Sequence, residues 1–194
     1  YQLSTMEQLR AWNRWCAARP ASHFPYLVRG MYFLERARVL DGANKSLLLS
    51  EQQRRDFNQF LLSGRADLEK AAELSELDPA PFAALTALSI QLKLPRTDME
   101  KWFQRAVDID SGWLAAYRAK LLYLSPWWYG SDQMMEQFAT HCFNLESSDT
   151  STYIVYLDYL KIRSDRMGRG LPAEQFLLAP ETYRMMSIGL DRYL

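Results

Sequence analysis

The chain has little of what enzymes and metalloproteins are built from. Its 194 residues include two cysteines and two histidines. Cys16 and Cys142 stand far apart without CxxC spacing. Both fall in apolar helical patterns, where a free cysteine acts as a small core residue. His23 precedes Phe24-Pro25 at a helix entry, and His141 neighbours Cys142. Neither belongs to an HExxH or Cys/His ligand spacing, so both read as structural and no metal is expected. Phosphate cradles of the GxGxxG or GxxxxGK[ST] kind are missing, as is the GxSxG nucleophile elbow. Acid pairs such as Asp108 and Asp110 lie at a helix end, where capping and solvation account for them. The expectation is a non-enzyme with no catalytic residue and no cofactor.

A charge of one sign is also missing. Lysine plus arginine total 23 and aspartate plus glutamate total 23, for a net charge of zero. Nucleic-acid binding normally draws on a basic excess, so no nucleic-acid partner is expected. Neutrality leaves little repulsion between copies and keeps a homo-oligomer open. No apolar run approaches the ~20 residues that span a bilayer, which argues against a membrane partner. The cysteine usage suits a reducing cytosol. A cytoplasmic location is the expectation, although the chain begins at Tyr1 rather than Met and leaves room for a removed segment or further domain.

Strand signals are scarce too. Long alternating stretches are absent, and the lone Asp41-Gly42 pair ends a helical run, where glycine is the natural C′ residue. Helix signals abound. Ser4 with Glu7, Ser50 with Gln53 and Thr97 with Glu100 all have capping-box spacing. Proline and apolar periodicity predict nine helices, over 5–19, 25–41, 51–77, 79–93, 98–108, 112–124, 132–145, 151–166 and 180–193. The third carries Ser63-Gly64 as a kink or break.

The helices echo one another. Leu77-Asp78, Ile109-Asp110 and Leu145-Glu146 read as one point in three copies, offset by 32 and 36 residues. A small residue precedes each (Ala71 and Ala72, Ala106, Cys142), and eight places after each comes Leu85, Tyr117 or Tyr153. These offsets bracket the ~34-residue period of tetratricopeptide helix pairs. The expected fold is all-α: degenerate tetratricopeptide-like pairs stacked into a short right-handed solenoid. It forms one domain over 1–194, with an N-terminal pair in 1–49, repeat pairs in 50–166, and a linker with a capping helix in 167–194. Arg163, Arg166 and Arg169 near that linker read as cations at a helix C-terminus, with an acidic partner as the lesser reading. The apolar stripe of the last helix, Met185, Met186, Ile188, Leu190 and Leu194, needs cover from the preceding pair or from a partner.

The densest unusual segment is Leu124-Ser125-Pro126-Trp127-Trp128-Tyr129-Gly130-Ser131-Asp132. Pro126 stiffens its entry, Gly130 permits a tight turn, and Ser131 or Asp132 can cap the next helix. Three consecutive rings cannot all turn inward with ease. The structural expectation is that Trp127 or Trp128 plugs a seam between helix pairs, leaving the other rings at a ligand-facing edge.

In this loop the chain resembles a bacterial family of tetratricopeptide-like domains of unknown function, whose members carry a Pro-Lys-Trp-Gly-Gly-Ser loop before a Met-rich helix. Pro126, Trp128, Gly130 and Ser131 match, with Met134, Met135 and Phe138 following, while Trp127 replaces the lysine and Tyr129 the first glycine. The stretches Pro25-Tyr26-Leu27-Val28-Arg29-Gly30-Met31-Tyr32-Phe33 and Ala66-Asp67-Leu68-Glu69-Lys70-Ala71, the latter running into Leu77-Asp78-Pro79, are similar as well. The likeness spans roughly residues 24 to 160 and implies the helical-repeat fold without an activity.

Stacked helix pairs usually bind rather than catalyse. The leading expectation is a noncatalytic scaffold for another protein or peptide, extending to an effector or toxin that it neutralises or chaperones. If the first helix of each pair lines a groove, Trp113, Tyr117, Arg118 and Lys120 present on one helix, and Tyr153 and Tyr156 on the next. Trp127, Trp128 and Tyr129 add the loop edge. Tyr, Trp and Arg suit hot spots, but Trp113 and Tyr117 are equally readable as a core stripe. The other function classes are a small-molecule-binding or regulatory domain with a pocket between helices, and a self-associating structural domain.

Overall fold

The computed structural model of the chain describes residues 5–41, 49–145, 151–166, 175 and 178–191. Within them the fold is all-α, with nine α-helices and no strand. Two compact units divide the chain, Tyr1–Ile109 and Asp110–Leu194.

The first unit holds α1 (Thr5–Ala18), α2 (His23–Asp41), α3 (Glu51–Leu74), α4 (Ala80–Gln91) and α5 (Arg96–Ile109). Consecutive helices pack on one another, and α2 against α3 is the most extensive contact. Two glycines let these backbones approach. A Cβ on Gly30 would stand 2.9 Å from Leu68 Cγ, and one on Gly64 would stand 2.9 Å from Leu34 Cδ2 and 3.3 Å from the Gly30 carbonyl oxygen. The Ser63-Gly64 step is therefore a crossing point, and α3 runs through it unbroken. Ala37, Leu61, Leu68, Leu85 and Leu88 form the buried core, joined by Leu34, Phe57, Phe60 and Trp102.

A charged clasp spans the first three helices. Arg29 on α2 donates from Nε and a terminal nitrogen to the two carboxylate oxygens of Asp67 on α3, both at 2.7 Å, and from its other nitrogen to Asn13 on α1 at 2.8 Å. Asp67 is 6 % exposed. A carboxylate buried so deeply needs such a bidentate partner to offset its lost hydration. At the next junction His23 Nε2 donates to Asp78 Oδ2 at 3.0 Å, while Asp78 Oδ1 accepts from the Ala80 N–H at 2.9 Å and opens α4. His23 is thus structural, as its helix-entry position predicts.

The second unit holds α6 (Leu114–Tyr123), α7 (Asp132–Asn144), a 3-10 turn (Ser151–Tyr153), α8 (Ile154–Arg166) and α9 (Pro180–Asp191). Here α8 packs against α6, α7 and α9. Fully buried Tyr123, Leu121, Met135, Val155 and Tyr159 supply its interior. On α9, Thr182 and Met185 are buried whereas Tyr183 is exposed and Ile188 partly so, so its stripe is only partly covered; Leu190 and Leu194 lie outside the described side chains.

The echo has a physical register. Positions 64, 68 and 71 of α3, 99, 103 and 106 of α5, and 135, 139 and 142 of α7 follow one another at intervals of 35 and 36 residues, and all nine side chains or glycines are buried. Ala71, Ala106 and Cys142 are each 0 % exposed, so the third position holds a small, fully buried side chain in all three copies. Asp78 and Asp110 share a role as well, since each accepts from the backbone N–H two residues on. Leu77 itself is 88 % exposed in a turn, because α3 ends at Leu74 rather than running to 77.

Local capping follows the sequence in part. Ser50 and Gln53 form the reciprocal box, at 3.2 and 2.9 Å. Thr97 does not cap, since α5 starts earlier on Pro95, whose carbonyl accepts from the Asp98 and Met99 N–H groups. Glu100 instead accepts from Arg96 Nε at 3.3 Å. Ser4 lies outside the described residues. Helix α4 closes with Lys93 at φ 53°, while Lys93 N–H donates to Ile90 O and Leu94 N–H to Ser89 O. That is the double bond of a Schellman end, built here on a lysine.

Candidate functional site

The loop between α6 and α7 presents the most distinctive surface of the second unit. After Leu124 and Ser125, both buried, the chain reverses in a tight turn. Ser125 O accepts from the Trp128 N–H at 3.0 Å and the Gly130 N–H at 3.3 Å, and Tyr123 O accepts from the Tyr129 N–H at 3.2 Å. The turn brings residue 130 against the end of α6 so closely that a Cβ there would lie 2.0 Å from the Leu124 carbonyl oxygen. Only glycine fits. Ser131 then caps α7, its hydroxyl accepting from the Met134 N–H at 3.1 Å.

This geometry turns all three rings outward. Trp127 is 51 %, Trp128 45 % and Tyr129 40 % exposed. Neither tryptophan is a seam plug, because the backbone bonds fix the loop with the rings on its outside. Tyr129 leans on buried Tyr123, ring centroids 4.9 Å apart, and so anchors the cluster on the core. Beside the loop exit, Arg166 at the end of α8 makes a bidentate pair with Asp132 at the start of α7, with one bond at 2.6 Å. Arg163 donates to the Tyr159 hydroxyl at 3.0 Å. These two arginines therefore hold acceptors of their own unit; Arg169 lies outside the described residues.

The helix-borne candidates separate. Tyr117 is 5 % exposed, stacks on Phe138 at 6.3 Å and 18°, and donates its hydroxyl to Ser111 O at 2.8 Å. It is a core residue, and burial pushes its phenol above the ordinary value. Lys120 lies on the same side, its ammonium 4.9 Å from the Phe138 ring centre. Trp113 precedes α6 half-buried, and its indole N–H meets no acceptor among the described residues. Arg118 is exposed and pairs with Asp158 of α8 at 2.7 Å. Tyr156 packs between Phe143 at 5.6 Å and Tyr159 at 5.5 Å, and Tyr153 is half-buried on the 3-10 turn. Tyr117 and Lys120 thus face α7 and Arg118 faces α8, and the three share no single exposed face. The loop rings remain as the coherent surface.

Both cysteines are free and buried, as their helical setting predicts. Burial pushes the Cys142 thiol up to about 12, with nearby Lys120 opposing weakly, so it stays protonated at neutral pH. Among the described residues no group of three or more His, Cys, Asp or Glu side chains could hold a metal ion, and no helix is long and apolar enough to cross a membrane.

Sequence reasoning missed a groove on the first unit, formed by α3, α4 and α5. Its volume is about 350 Å³, and it is lined by Glu69, Glu73, Glu76, Phe82, Trp102 and Arg105. Glu69 and Glu73 lie one turn apart on α3, whereas Glu76 falls beyond its end at Leu74. What the spacing does not reveal is the face of α5 that lies opposite.

Comparison of the chain with protein-family models, with characterised proteins and with solved structures finds no match.

Proposed function

We propose that this chain is a noncatalytic binding scaffold of tetratricopeptide-like helix pairs, and that its partner is another protein or peptide engaged through the α6–α7 loop. The observation that carries the reading is the outward display of three consecutive large rings on a turn that only glycine can close. Exposed aromatic area costs solvation, and a rigid loop that holds it out has spent its ordering entropy before any partner arrives. Trp and Tyr in such a setting are typical anchors of an interface. The buried 35- and 36-residue register supports the repeat part of the reading. Its third position holds a small, fully buried residue in each copy (Ala71, Ala106, Cys142).

The test is affinity capture from a lysate of the source organism, with the wild-type chain and a Trp127→Ala/Trp128→Ala variant side by side. A protein retained by the wild type and lost by the folded variant supports the reading. Identical recoveries, or nothing retained by the wild type, reject it.

A further inference from the structure

With the rings taken as the binding surface proposed above, the chemistry of the α6–α7 loop narrows the partner. Residues 121–131 include no charged side chain. The acid that follows, Asp132, is already matched by the bidentate Arg166. A charged segment therefore finds no free counter-charge on the loop itself. The loop's amides are engaged too. Pro126 has no N–H, and those of Trp128, Tyr129 and Gly130 donate to Ser125 O and Tyr123 O inside the turn. Strand addition draws on a row of free amides, which this turn lacks. An amphipathic helix needs a groove to lie in, whereas these rings stand on the outside of a tight turn, each 40 % or more exposed.

What the loop does offer is aromatic surface and hydrogen-bond donors. The indole N–H groups of Trp127 and Trp128 meet no acceptor among the described residues, and an indole nitrogen donates without accepting. A proline-rich segment is the complement of such a surface. Each proline lacks an N–H, the carbonyls of its extended helix take part in no internal hydrogen bond, and its pyrrolidine rings pack on aromatic faces. Its conformation is set before binding, as that of the ring loop is, so little ordering entropy is lost on association. We infer that the α6–α7 loop receives an uncharged, proline-rich extended segment of its partner, with pyrrolidine rings against Trp127 and Trp128 and backbone carbonyls accepting from their indole N–H groups.

Fluorescence polarisation on the full chain tests this with two labelled probes, the peptide Ser-Pro-Pro-Leu-Pro-Pro-Leu-Pro-Pro-Ser and its counterpart with alanine at every proline. The proline probe binds, and the alanine probe binds about tenfold more weakly or not at all. Trp127→Ala/Trp128→Ala abolishes binding of the proline probe. Trp127→Phe/Trp128→Phe keeps the rings but removes both donors, and it weakens the proline probe about tenfold while leaving the urea midpoint at the wild-type value. Absence of binding by the proline probe, equal binding of the alanine probe, or an affinity that the phenylalanine variant does not move overturns the inference. Ring-dependent capture of a lysate protein without binding of the proline probe overturns it alone, whereas identical capture by wild type and the Trp127→Ala/Trp128→Ala variant removes the binding reading beneath it.

Discussion

Replacing Gly130 by alanine tests whether the ring loop is built or merely tolerated. The added methyl would stand 2.0 Å from the Leu124 carbonyl oxygen and 2.4 Å from its carbon, well inside any contact that carbon atoms adopt. Both neighbours are backbone, and Leu124 is buried, so no side chain can swing away to make room. The turn must open. Opening it gives up the bonds from Trp128 and Gly130 to Ser125 O and from Tyr129 to Tyr123 O. At roughly 1 kcal/mol net for each backbone hydrogen bond, Gly130→Ala should cost about 2–3 kcal/mol. Urea unfolding followed by circular dichroism and by tryptophan fluorescence measures the loss. Ser131→Ala in the same loop is the control, since it removes only the α7 cap and should cost about 1 kcal/mol. A Gly130→Ala protein within about 0.5 kcal/mol of wild type would refute the claim that the turn dictates where the rings point.

Three other outcomes follow from the packing. Asp67→Ala strands the Arg29 guanidinium with only Asn13, and because the pair is partly hydrated the loss should be about 2–3 kcal/mol in urea titration. Arg29→Met/Asp67→Leu should recover part of it. Ala71→Leu forces three carbons into a site with no exposure and should cost about 1–3 kcal/mol, read as a lowered urea midpoint. Cys142 gives an alkaline signature. Its folded value is raised from 9.0 to about 12, so the unfolded thiol ionises first; the stabilisation is complete below pH 9 and is lost as pH climbs toward 12. At pH 10 the loss should be on the order of 1 kcal/mol relative to neutral pH, and Cys142→Ala should show a correspondingly shallower decline.

Helix identity was largely legible in the sequence, because proline placement, caps and apolar period act over a few residues. Nine helices were expected and nine are observed among the described residues. Misplaced boundaries have tertiary causes. Helix α3 stops at Leu74 because Asp78 serves the next helix and is held by His23, 55 positions away in sequence. Ser63-Gly64 resembles a break until the α2 backbone is laid against it. The small residues of the echo kept their meaning, since Ala71, Ala106 and Cys142 are all fully buried.

The candidate site was half legible. Three rings in a row with a proline before and a glycine after do mark an exposed loop, and the structure puts all three outside. Assigning Tyr117 to a groove misjudged a side chain whose hydroxyl finds its acceptor six residues back, at Ser111, so that the ring could be buried with its polar end satisfied. The clasp of Arg29 with Asp67 and the groove of α3 with α5 join residues on separate helices, which no periodicity within one helix can pair.

The central claim is that the α6–α7 rings are a binding surface rather than a structural plug. The most direct measurement is the affinity of the captured partner for Trp128→Ala by titration calorimetry, read beside the melting of the same variant. A binding loss of tenfold or more with stability within about 1 kcal/mol of wild type is the predicted result. Unchanged affinity, or a destabilisation of the 3–5 kcal/mol order that follows removal of a buried aromatic, would contradict it.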